Sequence, residues 1–244
     1  MKVYISADME GVTGVTHPED VIPGRSRYEG FRKLLTADVN AAIEGAAEGG
    51  ATEFIVNEAH DGMRNIVLEG LDLRAEVIVG RRKPFVMMED VGEADVAFFV
   101  GYHAGAGTNG VLSHTFRTAP VVGVTLNDEP CSEGRMNAAY AGLRGIPVDL
   151  VSGDDAVCEE SSGLYTGVQT AQVKTAIAAT PPGACRLRRR TGASGMRQGR
   201  RSKAPRNSEP TSSSRPTPSP WSSTTLARRP ASSTSRGSSG QTTV

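Results

Sequence analysis

The chain has 244 residues and no formal net charge, 27 Lys+Arg standing against 27 Asp+Glu, a length that holds one large domain or two small ones. No apolar run approaches membrane-spanning length, the N-terminus lacks a charged-then-apolar signal segment, and Cys131, Cys158 and Cys185 are odd in number with no CxxC or metal-ligand spacing. These features argue against a membrane protein and a disulfide scaffold, and they favour the reducing cytoplasm.

The first apolar run, Met1 to Ile5, reads as a buried strand and leads into Ser6-Ala7-Asp8-Met9-Glu10-Gly11. If the strand geometry continues, Asp8 and Glu10 project to the same side. Two carboxylates side by side repel and are costly to desolvate. A divalent cation compensates that cost, and hard oxygen ligands suit one. A solvated strand end is the alternative. A Gly/Thr/Pro-rich loop follows, with His17 expected at the surface. From Tyr28 to Glu48 apolar residues recur at helical spacing until Gly49-Gly50 stops the pattern.

A second strand, Glu53 to Val56, runs into Asn57-Glu58-Ala59-His60. A short β-prone run, Ala75 to Val79, precedes the basic patch Arg81-Arg82-Lys83. Asp95 to Val100 is a third buried strand, ending in Gly101-Tyr102-His103. Apolar strands alternating with amphipathic helices indicate an α/β fold, a mostly parallel sheet flanked by helices in three layers. Sites in such sheets lie at the carboxyl ends of the strands. Asp8, Glu10, His60 and His103 all fall there, which predicts a metal site, and His114 follows just beyond the third strand.

Val121 to Leu126 is strand-like. Ser132 caps a helix running from Arg135 to Leu143, with Glu133 in its first turn, where helix-dipole stabilisation would also explain an acid. Ile146 to Val151 makes one more strand, and Asp154-Asp155 after it are candidate caps.

Taken in order, Asp8-Met9-Glu10-Gly11, Asn57-Glu58-Ala59-His60, Gly101-Tyr102-His103, Ser113-His114, Glu133-Gly134, Asn137-Ala138-Ala139-Tyr140 and Val151-Ser152-Gly153-Asp154-Asp155 resemble the zinc D-aminopeptidases of the DppA type. The resemblance spans about residues 1–180. It implies two zinc ions held by Asp8 as the bridge with Glu10, His60, His103 and Glu133. His114 then takes the place of the nucleophile or general base. It further implies removal of N-terminal D-amino acids from short peptides such as D-Ala-D-Ala, inside a ring-like homodecamer. Such a ligand set suits zinc and also accepts manganese. A dinuclear-metal phosphoesterase would use similar ligands.

The balanced net charge hides a split. Residues 1–185 carry 14 Lys+Arg and 26 Asp+Glu, whereas residues 186–244 carry 13 basic residues and one acid, Glu209. From Arg186 onward there is no Ile, Phe or Tyr, too little apolar surface to offset chain entropy. An α/β metallopeptidase domain is therefore expected over 1–182, with a basic Ser/Arg/Pro-rich tail over 183–244. Two origins fit the tail: a disordered extension, or a reading-frame slip in a GC-rich gene. A non-catalytic protein binding polyanions through that tail is a third functional reading. Trp221 is the tail's only aromatic residue, a poor nucleic-acid signature.

Overall fold

Runs of Val, Ile, Phe and Tyr long enough to bury both faces of a strand recur along the first two thirds of the chain, and they assemble into one sheet. The computed structural model describes residues 1–117, 121–177 and 185–187, and the backbone of 224–228. Strand β1 (Lys2–Ala7) lies centrally, flanked by β2 (Glu53–Glu58) and β4 (Val96–Tyr102). Beyond β2 lies β3 (Ala75–Ile78), and beyond β4 lie β7 (Val148–Gly153) and β8 (Gln169–Gln172). The order is β3-β2-β1-β4-β7-β8, and every neighbouring pair is parallel. This is the expected α/β architecture.

One face is covered by the long helix α2 (Tyr28–Glu48), whose Phe31, Leu35, Val39 and Ile43 pack on Val3, Ile5 and Val100. Each such side chain, fully buried, contributes roughly 1.5–3 kcal/mol. The opposite face carries α3 (Glu133–Leu143) and α4 (Asp155–Leu164), with Ala141, Val157 and Cys158 in a second core around Tyr4, Phe99 and Val151. Among the described residues, no helix is long and apolar enough to cross a membrane.

Four strands run two residues farther toward the site than the sequence reading, β1 to Ala7, β2 to Glu58, β4 to Tyr102 and β7 to Gly153, and one expected strand joins a different sheet. Val121–Leu126 is a strand, β5, but it stays out of the main sheet. It pairs antiparallel with β6 (Glu129–Pro130) and with β11 (Thr224–Arg228). Only Val121 and Val124 of β5 are buried, which leaves too narrow an apolar face for a central strand. The short strands β9 (Lys174–Ala176) and β10 (Cys185–Leu187) also pair antiparallel. Thus β10 and β11 lie within the basic tail, while the remainder of 183–244, and the disorder expected there, falls outside the described residues.

The strand order reverses between β1 and β4, since the chain leaves β1 toward β2 and returns on the other side as β4. Loops leaving these two carboxyl ends diverge and open a crevice. Backbones pack unusually closely beside it. A Cβ on Gly101, which has φ +72°, would lie 2.2 Å from the Asp8 carbonyl oxygen, and one on Gly11 would lie 1.9 Å from that of Tyr102. Only glycine fits either place. Gly101→Ala should lower unfolding stability by roughly 2–5 kcal/mol or prevent folding. A urea midpoint equal to wild type would show that the backbones have room to separate.

Candidate metal centre

Four segments deliver the predicted residues to this crevice. Asp8 follows β1 directly, and the turn Met9–Val12 carries Glu10. The strand has already ended at Ala7, so the turn, rather than strand alternation, sets the direction of Glu10. Asp8 N–H donates to Val100 O at 2.8 Å and Gly11 N–H to Gly101 O at 2.7 Å, fixing the turn against β4. His60 follows β2, and His103 follows β4. Glu133 opens α3, where Ser132 accepts from the Arg135 N–H at 3.0 Å as the expected cap.

The side chains converge. His60 Nδ1 lies 3.0 Å from Glu10 Oε2 and 3.4 Å from Asp8 Oδ1. His103 Nε2 lies 3.5 Å from both Asp8 Oδ2 and Glu133 Oε1. His114 stacks on His103 with ring centroids 4.2 Å apart, and its Nε2 is 3.9 Å from Glu133 Oε1 and 4.0 Å from Glu10 Oε1. All are buried except His114, which is partly exposed.

Each imidazole is anchored through its other nitrogen to a main-chain carbonyl: His60 Nε2 to Val21 O at 3.0 Å, His103 Nδ1 to Ala104 O at 3.0 Å, and His114 Nδ1 to Leu112 O at 2.9 Å. A carbonyl only accepts, so the anchored nitrogen carries the proton. In a neutral ring the nitrogen facing the carboxylates then carries the lone pair, as in metal-ligating histidines. Asp8 Oδ2 is buried without any hydrogen-bond partner. Three buried carboxylates, one with an orphaned oxygen, and three oriented imidazoles form a donor set that fits divalent cations. Donor atoms of Asp8, Glu10 and His103, and separately of His103, His114 and Glu133, cluster closely enough to hold an ion.

From the protein's own charges, burial alone would push the His60 and His103 rings down. The carboxylates outweigh it: Glu10 and Asp8 hold His60 well above the ordinary range, and Glu133, Asp8 and Glu10 raise His103 to about 10. Burial and then Glu10 raise Asp8 to about 6. Burial opposes ionisation of Glu10 and Glu133 too, but the imidazoles hold both below the ordinary carboxylate range.

A surrounding layer of polar groups, of which the sequence reading assigns a role only to Asp154, holds these loops. Glu58 accepts from the Ile66 N–H at 2.8 Å and from Asn65 Nδ2 at 2.9 Å, closing the loop that bears His60. Asn137 donates to the Tyr102 hydroxyl at 2.9 Å, tying the helix of Glu133 to β4. Asp154 caps α4 as expected, accepting from the Val157 N–H, and also accepts from the Val111 N–H ahead of His114. His17 is half-buried and caps the short helix α1 (Pro18–Val21), whose last residue anchors His60.

Lys174 is the least expected of these residues. It is 0% exposed, burial lowers its ammonium to about 8, and it donates to the carbonyls of Glu10, Val12 (3.2 Å) and Val15 (2.8 Å). From the other side Asp38 accepts both the N–H and the hydroxyl of Thr13. No local pattern marks Lys174, because its partners lie 159–164 residues away.

Comparison with known proteins points to one family. A family model described as D-aminopeptidase matches residues 1–213, farther than the sequence resemblance reaches. A D-aminopeptidase of Bacillus subtilis (strain 168) is 40% identical over 181 residues, 72% of this chain and 65% of that protein. The chain thus spans just under two thirds of that relative's length. The solved structure of a Zn-dependent D-aminopeptidase, DppA from Bacillus subtilis, described as a self-compartmentalizing protease, matches with a TM-score of 0.77. It is 36% identical, and the match covers 82% of this chain and 73% of that one.

Two predictions follow from the electrostatics and the bracing. Because His60 and His103 titrate upward from their ordinary range, zinc added to chelator-stripped protein near neutral pH should displace protons, and affinity should weaken as pH falls. Calorimetric heats that do not vary with buffer ionisation enthalpy would show that the rings are already neutral. Lys174→Met strands three buried carbonyls, at roughly 1–3 kcal/mol each. It should lower both thermal stability and zinc content; wild-type zinc affinity would show that the Glu10 turn holds without this brace.

Proposed function

The chain belongs to the D-aminopeptidase family, and from that premise we propose that it is a zinc-dependent aminopeptidase removing N-terminal D-amino acids from short peptides such as D-Ala-D-Ala. The observation that carries this reading is the convergence of Asp8, Glu10, His60, His103 and Glu133 on one buried point, with Asp8 Oδ2 buried and without a hydrogen-bond partner among the described residues. On this reading the five residues, Asp8 among them, would hold two zinc ions; manganese would suit the same set. Zinc held there supplies a Lewis acid for the scissile carbonyl and lowers the pKa of water.

His114 does the proton work. Its Nδ1–H is pinned to Leu112 O, so Nε2 faces the cluster with a lone pair, and its partly exposed edge reaches the cavity. It takes a proton from the attacking water and delivers it to the departing amine. The carboxylates of Glu10 and Glu133 lie 4.0 and 3.9 Å from Nε2. The main-chain anchors keep all three rings from turning during the cycle.

The preference for D-residues rests on the relatives' descriptions. So does assembly: the related DppA is described as self-compartmentalizing, and we extend to this chain a homo-oligomer, a decamer in the resemblance, that encloses its sites. Three thiols without a disulfide support a cytoplasmic location.

The test is hydrolysis of D-Ala-D-Ala against L-Ala-L-Ala, with and without a chelator. Chelator-sensitive cleavage of the D-peptide is expected; turnover of a generic phosphoester with neither peptide cleaved would overturn the reading. His114→Ala should lose roughly 10²–10⁴-fold in turnover while keeping its zinc, whereas Asp8→Ala should lose at least one ion. Zinc loss in the histidine variant would make His114 a ligand instead.

A further inference from the structure

Two cavities meet at the centre, of about 400 and about 380 Å³, and they share Glu10, His60, Asp61 and His114. Their outer walls differ in chemistry. The first is closed by Pro18, Val21, Ile22, Pro23 and Leu112, which present hydrocarbon. The second opens past Arg81 and Arg117. Arg81 is matched, because its Nη2 lies 2.6 Å from Asp61 Oδ1. The Arg117 guanidinium has no hydrogen-bond or ion-pair partner among the described residues. Its backbone is nonetheless held beside the centre, since the preceding Phe116 N–H donates to Glu133 Oε1 at 2.6 Å and the Arg117 N–H to Thr115 O at 2.7 Å.

The walls are also strained. Asp61 (φ 37°), Met63 (φ 52°), Val86 (φ 50°), Leu112 (φ 55°) and Phe116 (φ 58°) lie in the left-handed region and line these two cavities. Such conformations cost on the order of 1–3 kcal/mol each and gather where a binding surface is held in shape. For a β-branched valine the cost is hardest to excuse on packing grounds.

We propose that this cleft reads a peptide from both ends: the apolar lobe takes the side chain of the N-terminal residue, and Arg117 takes the carboxylate of the residue released. The inference rests on the aminopeptidase reading and names its substrate class, dipeptides with an apolar first residue and a free C-terminus. The scissile bond then lies over the shared residues, within reach of His114. A guanidinium matches a carboxylate through paired, charge-assisted hydrogen bonds, and an outer wall of Pro18, Val21, Ile22, Pro23 and Leu112, with the Ser113 hydroxyl turned to Thr108 O, selects hydrocarbon.

The test compares D-Leu-D-Ala with its C-terminal amide, D-Leu-D-Ala-NH₂, on the zinc-loaded full chain. Wild type should prefer the acid in kcat/KM by roughly tenfold or more, the scale of one charge-assisted hydrogen bond. In Arg117→Gln that ratio should collapse toward one through a higher KM for the acid, and Arg117→Lys should restore part of it. Equal turnover of acid and amide by wild type, or a preference that survives in Arg117→Gln, would overturn the proposal while leaving the aminopeptidase reading intact. Cleavage of neither peptide would overturn that reading and this proposal with it. For the apolar lobe, D-Leu-D-Ala should outperform D-Ser-D-Ala, and the reverse order would remove that assignment.

Discussion

Three carboxylates buried together at the floor of a cleft set the terms for this molecule. Asp8, Glu10 and Glu133 are buried within reach of the same imidazoles, and a cluster of like charges in a low-dielectric interior is stable only when matched and hydrogen-bonded. The fold supplies two kinds of match. Imidazole nitrogens face each carboxylate, and the orphaned oxygen of Asp8 faces a space that a cation would fill. Placing those groups requires the carboxyl ends of β1 and β4 to approach until no side chain fits between them, hence Gly11 and Gly101.

The cluster also requires that its loops not relax away from the repulsion. Several loops of the site are held by buried polar groups: Glu58 for the His60 loop, Asp154 for the approach to His114, and Lys174 and Asp38 for the turn after Glu10. These groups are charged, which makes their burial costly, but a charge-assisted hydrogen bond is also about twice as strong as a neutral one. Lys174 donates to three carbonyls of one turn at once. An apolar residue of the same size would fill the space and leave those carbonyls unpaired.

The sequence was informative where the signal is local. Val3 and Ile5 before Asp8, Phe54 to Val56 before His60, and Val96 to Val100 before His103 each combine an apolar strand with a polar terminus, and parallel topology gathers such termini at one edge. It was silent where the partner is remote. Glu58 stood beside His60 without a visible task, because the task is to accept N–H groups from Asn65 and Ile66 across a loop. Lys174 has no neighbour in sequence that marks its role, because the carbonyls it meets belong to Glu10, Val12 and Val15. The run at Val121–Leu126 was recognisable as a strand but not as an antiparallel outlier, since apolar content alone does not report which sheet a strand joins.

The position of Lys174 bears on how the basic tail relates to the site. Every candidate ligand, His114 and the brace itself precede residue 178, so the centre is assembled from the acidic part of the chain. Yet β9, which carries Lys174, pairs with β10, and Leu187 stands opposite Lys174 in that ladder. The strand that steadies Glu10 is thus bordered by the first residues of the segment whose composition changes. Asp155 on α4 independently accepts the Ala176 N–H at 2.8 Å. That bond secures β9 from the folded side, so the brace does not depend on β10 alone. The ligand geometry is therefore set by the sheet and by residues up to 177.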